Sequence, residues 1–564
     1  MTSIRVQALG VVAGLLVWSA PARAQSCVDD PAAVAPIAPS PYSPKYMAYK
    51  GRTIALVGMS HEYLCHVAQP QRVGQYCTLG NYATEVLPNL QSQKNTLIRL
   101  WAVFHHSPGR EAYGTPFTNE QPFKYNSTTG KWDLNVVDNA DVNVTNLNVA
   151  YYTNLERVVH EAFCRGIIVE VTLLDPWCGT WTMGPFHTAN TTDGKGFSER
   201  RLFMSFENLT GKSDTSAQNI AARNAQKVAA AQVVRRLKRF PNVIFEVANE
   251  PDLIPSGLGI TPTHTTDLQN TFVSLIQTFD NPAPANHLIM VNGHQTGAFA
   301  WSVPGAKVGS GHYTNISDSR YGATELMRNA SLRSARANHA VGFNEGKAIG
   351  GGGVDPVTAD DLRSEAWEFS FNEGAFFDGY SINRSDGNTI NAVTQLGVLR
   401  KFLADPGNLV PGPYIWSLAN MQQTSCNGTG NWCRNVPAWG NSNNLCAPNG
   451  DGKTYWATFK SDSQYALYLH HGALVNNPPS GSSNPFQRYD ARVCASPLYT
   501  LPNFQFQVFQ TGCWIVRWIN PKDGAVVRSA TFEASPGVWY ATSPPAFTHD
   551  IVALALLFRA GTCY

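Results

Sequence analysis

The sequence predicts an α/β chain, a (β/α)8 barrel followed by a smaller all-β sandwich, and three observations carry that prediction. The chain has 564 residues, more than one ordinary domain of ~100–200 residues, so a large domain with a companion is expected. Between residues 51 and 410, short apolar runs alternate with segments of helical period, the signature of repeated βα units. After residue 411 the composition turns to Gly, Asn, Cys and Trp, and then to alternating strand-like runs separated by turn signals. The organisation read from this is a signal peptide at 1–24, a Pro-rich N-terminal arm at 25–50, a barrel at 51–410 and a disulfide-containing β-sandwich at 411–564.

Taken in order, Arg5 and the apolar run Ala8–Ala20 read as an export signal, and Ala22-Arg23-Ala24 supplies the small residues that place cleavage before Gln25. The mature chain is therefore expected to be secreted or periplasmic. No later run of ~18 apolar residues suggests a membrane span. Residues 25 to about 50, rich in Pro and Ala, read as an extended arm. Eight strands follow: Thr53–Gly58, Thr96–Phe104, Ile167–Leu174, Val243–Ala248, His287–Asn292, Lys307–His312, Ala340–Asn344 and Gly374–Ser381. Several are continuous apolar runs, as expected of strands covered on both faces. Leu155, Val158, Val159, Ala162 and Phe163 follow helical spacing, with Gly166 placed to end the helix. Leu268, Phe272, Leu275 and Ile276 repeat the pattern, as do Ala392, Leu396, Leu399 and Phe402. A doubly wound sheet is the alternative, but it calls for a Gly-rich phosphate turn after the first strand, and Gly58-Met59-Ser60-His61 supplies one glycine. In the tail, Tyr465–His470, Cys513–Ile519, Ala525–Phe532, Val538–Ala541 and Ile551–Phe558 read as strands, with Asn520–Gly524 as a turn.

The composition narrows function. Lys and Arg total 42 against 40 Asp and Glu, a net charge of +2, which argues against a nucleic-acid partner. Only 15% of residues are charged, while aromatics reach 11% with 14 Trp and 21 Tyr; such a surface suits neutral, hydroxylated ligands. The 11 cysteines all follow the cleavage site and none has CxxC spacing, so disulfide staples fit better than zinc ribbons. Their number is odd, so at least one thiol is free or pairs between chains. The adjacent pair His105-His106 lacks the one-face spacing of metal ligands, and neither a metal nor another cofactor is expected. The Arg235/Arg236/Lys238/Arg239 cluster reads as a solvated helix face. Oligomeric state is not legible.

The sharpest local feature is Phe240-Pro-Asn-Val-Ile-Phe-Glu-Val-Ala-Asn-Glu-Pro251, an apolar strand ending in Asn249-Glu250-Pro251. A second strand ends in Val341-Gly-Phe-Asn-Glu345. In a barrel both carboxylates lie at the C-terminal face, on strands four and seven, where active sites form. Glycoside hydrolysis needs such a pair: one carboxyl protonates the leaving oxygen, and in retaining enzymes the other attacks the anomeric carbon. Asp378 and Glu373, near strand eight, are rivals for the nucleophile. Trp177, Trp181, His187 and Asn190, after strand three, are candidates for a sugar subsite. Glu62 is a candidate third acid.

These residues resemble clan A of the glycoside hydrolases, the clan of the family-five cellulases and mannanases, and the resemblance covers most of the chain. Asn249-Glu250-Pro251 matches the clan's acid/base motif and Glu345 its strand-seven nucleophile. Gly58-Met-Ser-His-Glu-Tyr63 is similar to the first strand end and Val169-Glu-Val-Thr-Leu-Leu-Asp-Pro-Trp177 to strand three. Leu97-Ile-Arg-Leu-Trp101 matches strand two, so Arg99 is implied to support the nucleophile. Gly311-His312-Tyr313 matches the His/Tyr pair that ends strand six. The resemblance implies a retaining mechanism in which Asn249 binds the sugar 2-hydroxyl and His312 orients Glu250 or a hydroxyl. Where the clan places a strand-eight Trp as a sugar platform, this chain has Phe376, Phe377 and Tyr380, and Gly346-Lys347 follows Glu345 where relatives carry Thr-Gly. The function read from the sequence is a β-glycoside hydrolase acting on a polysaccharide or oligosaccharide. The alternatives are a catalytically silent carbohydrate-binding protein and a transglycosylase on the same scaffold.

Overall fold

The computed structural model describes residues 30–41, 44–60, 82–92, 95–102, 121–135, 146–174, 185–192, 194, 196–197, 217–251, 261–281, 286–293, 303–312, 339–345, 359–371, 374–380, 387–404, 432–434, 453–460, 464–472, 474–475, 488–489, 504–508, 510–536, 538–542, 545, 547 and 550–563. Eight parallel strands close into a barrel: β1 Leu56–Ser60, β2 Leu97–Trp101, β3 Ile168–Leu174, β4 Val243–Ala248, β5 Leu288–Gly293, β6 Val308–His312, β7 Ala340–Glu345 and β8 Phe376–Tyr380. Each pairs in parallel with the next in sequence, and β8 closes on β1 through Phe376↔Leu56 to Tyr380↔Ser60. The strands are buried on both faces, and β3 and β4 read as largely apolar runs broken only by Glu170, Thr172 and Glu246.

Helices α1 Leu87–Ser92, α2 Val149–Cys164, α3 Ala217–Leu237, α4 Pro262–Asp280, α5 Ala359–Phe371 and α6 Gly387–Ala404 lie between and after the strands. In α2 the Asn148 side chain accepts the Tyr151 N–H, satisfying one of the helix's orphan donors. The buried stripe of α2 runs Leu155, Val158, Val159, Ala162 and Phe163, and the chain turns away at Gly166 (φ 70°). The α4 stripe is Leu268, Phe272, Val273 and Ile276. Leu275, expected in it, is half-buried and packs at its edge.

Two features differ from the sequence expectation. The segment read as an extended arm contains strands: Ala38–Pro39 pairs antiparallel with Met47–Tyr49, which pairs antiparallel in turn with Arg52–Ile54. The single strand expected at Thr53–Gly58 is thus two, one in this meander and one in the barrel. Ile37, Tyr46, Met47 and Tyr49 pack against Leu56, Leu97, Ile168, Ile244, Leu288, Val308, Ala340 and Phe376, at or near the N-terminal ends of the eight strands. The meander plugs the bottom of the barrel, and the Ile37 N–H fastens it to the Pro241 carbonyl at 2.9 Å. The basic cluster on α3 is not simply solvated. Arg235 stacks on Phe279, Arg236 on Tyr152 and Arg239 on Phe240, while Arg236 also pairs with Glu156 at 3.3 Å.

The C-terminal region is antiparallel. A five-stranded sheet is formed by β9 Lys453–Lys460, β10 Gln464–Gly472, β11 Gly512–Ile519, β12 Val526–Ala534 and β13 Asp550–Arg559, in the order β9-β10-β13-β11-β12. A three-stranded sheet contains Trp432–Arg434, Phe504–Gln507 and Trp539–Thr542. Leu467, Trp514, Val516, Trp518, Ile551, Ala553 and Ala555 share a core that Tyr540 of the smaller sheet packs against. The alternate residues Ala466, Tyr468, Val552 and Leu554 instead join Leu362, Ala366, Trp367, Leu396 and Leu399 of α5 and α6. The central strands of the five-stranded sheet are therefore covered on both faces, one by the partner sheet and one by the barrel, while β12 at its edge is largely exposed. A disulfide joins Cys513 to Cys563. The β11–β12 turn at Asn520–Gly524 is built as expected, with Gly524 at φ 78° and the Lys522 N–H on Asn520 Oδ1.

Candidate active site

The strand register brings a band of polar side chains into the upper barrel interior. In β4, Val243, Phe245 and Val247 pack outward in the helix-side core, so Ile244 and Glu246 take the opposite, inward face. By the same alternation Gly342 and Asn344 of β7 lie opposite Val341 and Phe343, and Asp378 of β8 lies opposite Phe377. Arg99 of β2 is the only cation of the band among the described residues. Its Nη2 donates to Glu246 Oε2 (2.6 Å) and to Asn249 Oδ1 (2.8 Å). Its Nε lies 2.9 Å from Glu246 Oε2, 3.0 Å from Thr172 Oγ1 and 2.9 Å from Glu170 Oε1. The guanidinium also stacks on Trp101, 4.8 Å from the ring centre.

Asn344 completes the band. Its Nδ2 donates to Glu170 Oε1 (2.6 Å) and Glu246 Oε1 (3.0 Å), while its Oδ1 accepts from Asn292 Nδ2 (3.2 Å) and the Ser310 hydroxyl. Two buried carboxylates thus face one guanidinium. Burial pushes the Glu170 carboxyl well above the usual carboxylate range, and the charge of Glu246 adds to this; Arg99 and the Asn344 hydrogen bond oppose both. Glu170 Oε2 is buried with no hydrogen-bond partner among the described residues.

Above the band, β4 ends in Asn249 and Glu250. The Asn249 N–H donates to the Leu174 carbonyl (2.8 Å) and the Glu250 N–H to Asn292 Oδ1 (3.1 Å). Glu250 has φ 40° and is 0% exposed, a left-handed backbone uncommon for a residue with a side chain. Such backbone is tolerated where surrounding bonds over-determine it. Glu345 is the last residue of β7 and pairs with His312, the last of β6, across a register shift between Gly311 and His312. Bulges of this kind re-aim side chains at barrel rims.

The expected site residues fall into four groups. Arg99 bonds Asn249 directly and the adjacent Glu250 is held by Asn292, and Arg99, expected to support the nucleophile, here holds Glu246, Glu170 and Asn249. Glu345, His312 and Tyr380 have the expected backbone places at strand ends, with side chains outside the described set. Tyr313, Trp177, Trp181 and Glu62, with the rival Glu373, lie outside the described residues. His187 and Asn190 sit in an excursion after β3 that meets the excursion after β2. Phe123 packs edge-on to Phe186 at 5.6 Å and Trp132 bridges Thr191. His187 Nδ1 accepts the Ala189 N–H at 3.2 Å, and burial lowers its pKa, so this ring is engaged in the local turn. The rival Asp378 is buried against Gly58, where an added Cβ would come 3.0 Å from its Oδ1. Sequence reasoning did not single out the other polar side chains of the band, Glu170, Glu246, Asn292, Ser310 and Asn344. Their signal was polar residues spaced two apart inside apolar strands, as in Glu170-Val171-Thr172. Among the described residues, no group of three or more His, Cys, Asp or Glu side chains is arranged to hold a metal, and no helix is long and apolar enough to cross a membrane.

No protein-family model and no curated protein sequence matches the chain. Solved structures do. A candidate glycoside hydrolase from Bacteroides vulgatus ATCC 8482 superposes with a TM-score of 0.53 at 12% identity, over 93% of this chain and 83% of that one. The likeness is one of fold. A glycoside hydrolase family 5 structure from the same organism gives 0.49 at 10% identity, over 92% and 93%. The endo-1,4-beta-mannanase of Rhizomucor miehei gives 0.43 at 14%, over 65% and 99%.

Proposed function

We propose that the chain is a secreted retaining β-glycoside hydrolase acting on a polysaccharide or oligosaccharide. The observation that carries this reading is the placement of Glu250 and Glu345, 95 residues apart in sequence, at the C-terminal ends of β4 and β7 on one rim of the barrel. The sequence resemblance to clan A supports the same assignment of roles.

In this reading Glu250 carries the proton that the leaving oxygen takes as its bond to the anomeric carbon breaks, and Glu345 forms the new bond from the opposite face. Glu250, now ionised, then takes a proton from the water that releases the sugar from Glu345. Asn249, whose side-chain oxygen accepts from Arg99, donates in this reading to the sugar 2-hydroxyl, a bond that strengthens in the transition state.

A screen on aryl β-glycosides and polysaccharides should find a substrate. On it, Glu250→Gln and Glu345→Gln should each lower turnover by about 10²–10⁴-fold or more. Azide should restore turnover to Glu345→Ala by replacing the missing nucleophile. Wild-type turnover in both Gln variants would rule the assignment out, and binding of glycans without cleavage by the wild-type chain would make it a binding protein.

A further inference from the structure

The band beneath the rim links the two strands that carry the proposed catalytic pair, and Glu246 of β4 takes part in that link through both of its carboxylate oxygens. Glu246 Oε2 accepts from Arg99, whose Nη2 also holds Asn249, the neighbour of Glu250; the Thr172 hydroxyl bonds to the same oxygen. Glu246 Oε1 accepts from Asn344 Nδ2, and Asn344 is the neighbour of Glu345. Asn344 is in turn fixed by Ser310 and Asn292, and Asn292 accepts the Glu250 N–H. The loop of bonds runs from one strand end to the other and back.

We propose that Glu246 is a positioning residue for the reaction, a strut whose two oxygens set the ends of β4 and β7 relative to each other. The inference rests on the glycosidase reading for its kinetic consequence, though not for its geometry. Both oxygens of Glu246 face donors, so a glutamine there must aim an N–H at Arg99 and Thr172 or at Asn344. Glu170 differs. It accepts the same two donors on Oε1 alone, and a glutamine keeps that acceptor with its amide nitrogen in place of the unpartnered Oε2. The two carboxylates sit in one band and are separated by this test.

The experiment compares Glu246→Gln and Glu170→Gln in the full chain, using the aryl β-glycoside that the wild-type chain cleaves best. Displacing reacting groups by about 1 Å costs about 10²-fold. Glu246→Gln should therefore lower kcat by about 10²-fold with KM changed by less than about 3-fold, while Glu170→Gln stays within about 3-fold in both. Should Glu246→Gln fail to fold, Asn344→Ala cuts the strut on the β7 side and should show the same fall in kcat. A kcat within about 3-fold of wild type in the strut variant, or an equal loss in Glu170→Gln, would overturn the proposal. If the wild-type chain cleaves no glycoside, the glycosidase reading fails, and crystal structures then decide the strut by itself. The Glu250–Glu345 Cα separation should change by about 0.5 Å or more in Glu246→Gln and not in Glu170→Gln; no change in either overturns it.

Discussion

Glu250 and Glu170 show two ways in which a buried carboxyl is held. Glu250 stands at a strand end on a left-handed backbone whose N–H is taken by Asn292. Glu170 stands inside the barrel, where burial and Glu246 together raise its pKa. The sign of the consequence for stability follows. An unfolded Glu titrates near pH 4.3. A raised native pKa means that the folded chain binds more protons above that pH, so this group's contribution is intact below about pH 4.3 and is lost as pH rises through the native value. Glu170→Gln cannot ionise. Its stability relative to wild type should therefore increase as pH rises above about 4.3, by up to about 1.4 kcal/mol per pH unit, the slope for one proton. Melting temperatures of the two proteins at matched pH values test this. Parallel curves across the range would mean that Glu170 ionises in the fold as it does in water. The roles of these residues were unequally legible. Asn249 and Glu250 stand out because a polar pair abruptly ends an apolar run. Glu170 and Glu246 sit inside such runs, and only the closed barrel shows which face is inward and what meets there.

The elements were legible in proportion to the coverage of their faces. The barrel strands lie where largely apolar runs of strand length predict them, because helices cover the outward face and the few polar residues of the band sit only on the inward one. The N-terminal meander was not legible. Its strands are two or three residues long and rich in Pro and Tyr, so no periodicity can develop, and their burial comes from the barrel bottom rather than from one another. Lys453–Lys460 and Phe504–Gln507 were also missed, since Lys, Thr and Gln interrupt the alternation of their sequences. The barrel itself depends on one glycine between β7 and β8. A Cβ on Gly342 would lie 1.8 Å from the Phe376 ring, which fills the space across the strand pair. Gly342→Ala should destabilise the chain by about 1–3 kcal/mol, read from the denaturant midpoint, because the ring must leave its place in the bottom core. Adding Phe376→Leu should recover part of the loss. An unchanged midpoint in the single variant would show that the ring moves aside at no cost.

At the scale of the whole molecule, the barrel and the sandwich share one core. Trp367 of α5 stacks on Tyr468 of β10, 5.5 Å between ring centres and 17° between planes, within a cluster of barrel helices and sheet residues. A buried ion pair lies beside it. Arg363 of α5 donates through Nε and Nη2 to the two oxygens of Asp550, both at 2.9 Å, and the Tyr468 hydroxyl donates to the same carboxylate at 2.9 Å. Burial works against the Arg363 charge, but the adjacent Asp550 more than offsets it and keeps the guanidinium protonated. An apolar seam with a satisfied bidentate pair is the construction of a permanent interface rather than of two tethered modules. The chain should therefore unfold in one calorimetric transition. Asp550→Ala removes the bidentate carboxylate and leaves the buried guanidinium with Asp360 and Gln395 on Nη1, and should lower stability by about 3 kcal/mol while the transition stays single. Replacing both partners, Arg363→Met with Asp550→Leu, should recover most of that, because the cost lies in a buried charge that has lost part of its compensation and not in the loss of the pair. Two separate transitions in the wild-type chain would sink the shared-core account, as would an Asp550→Ala variant as stable as wild type.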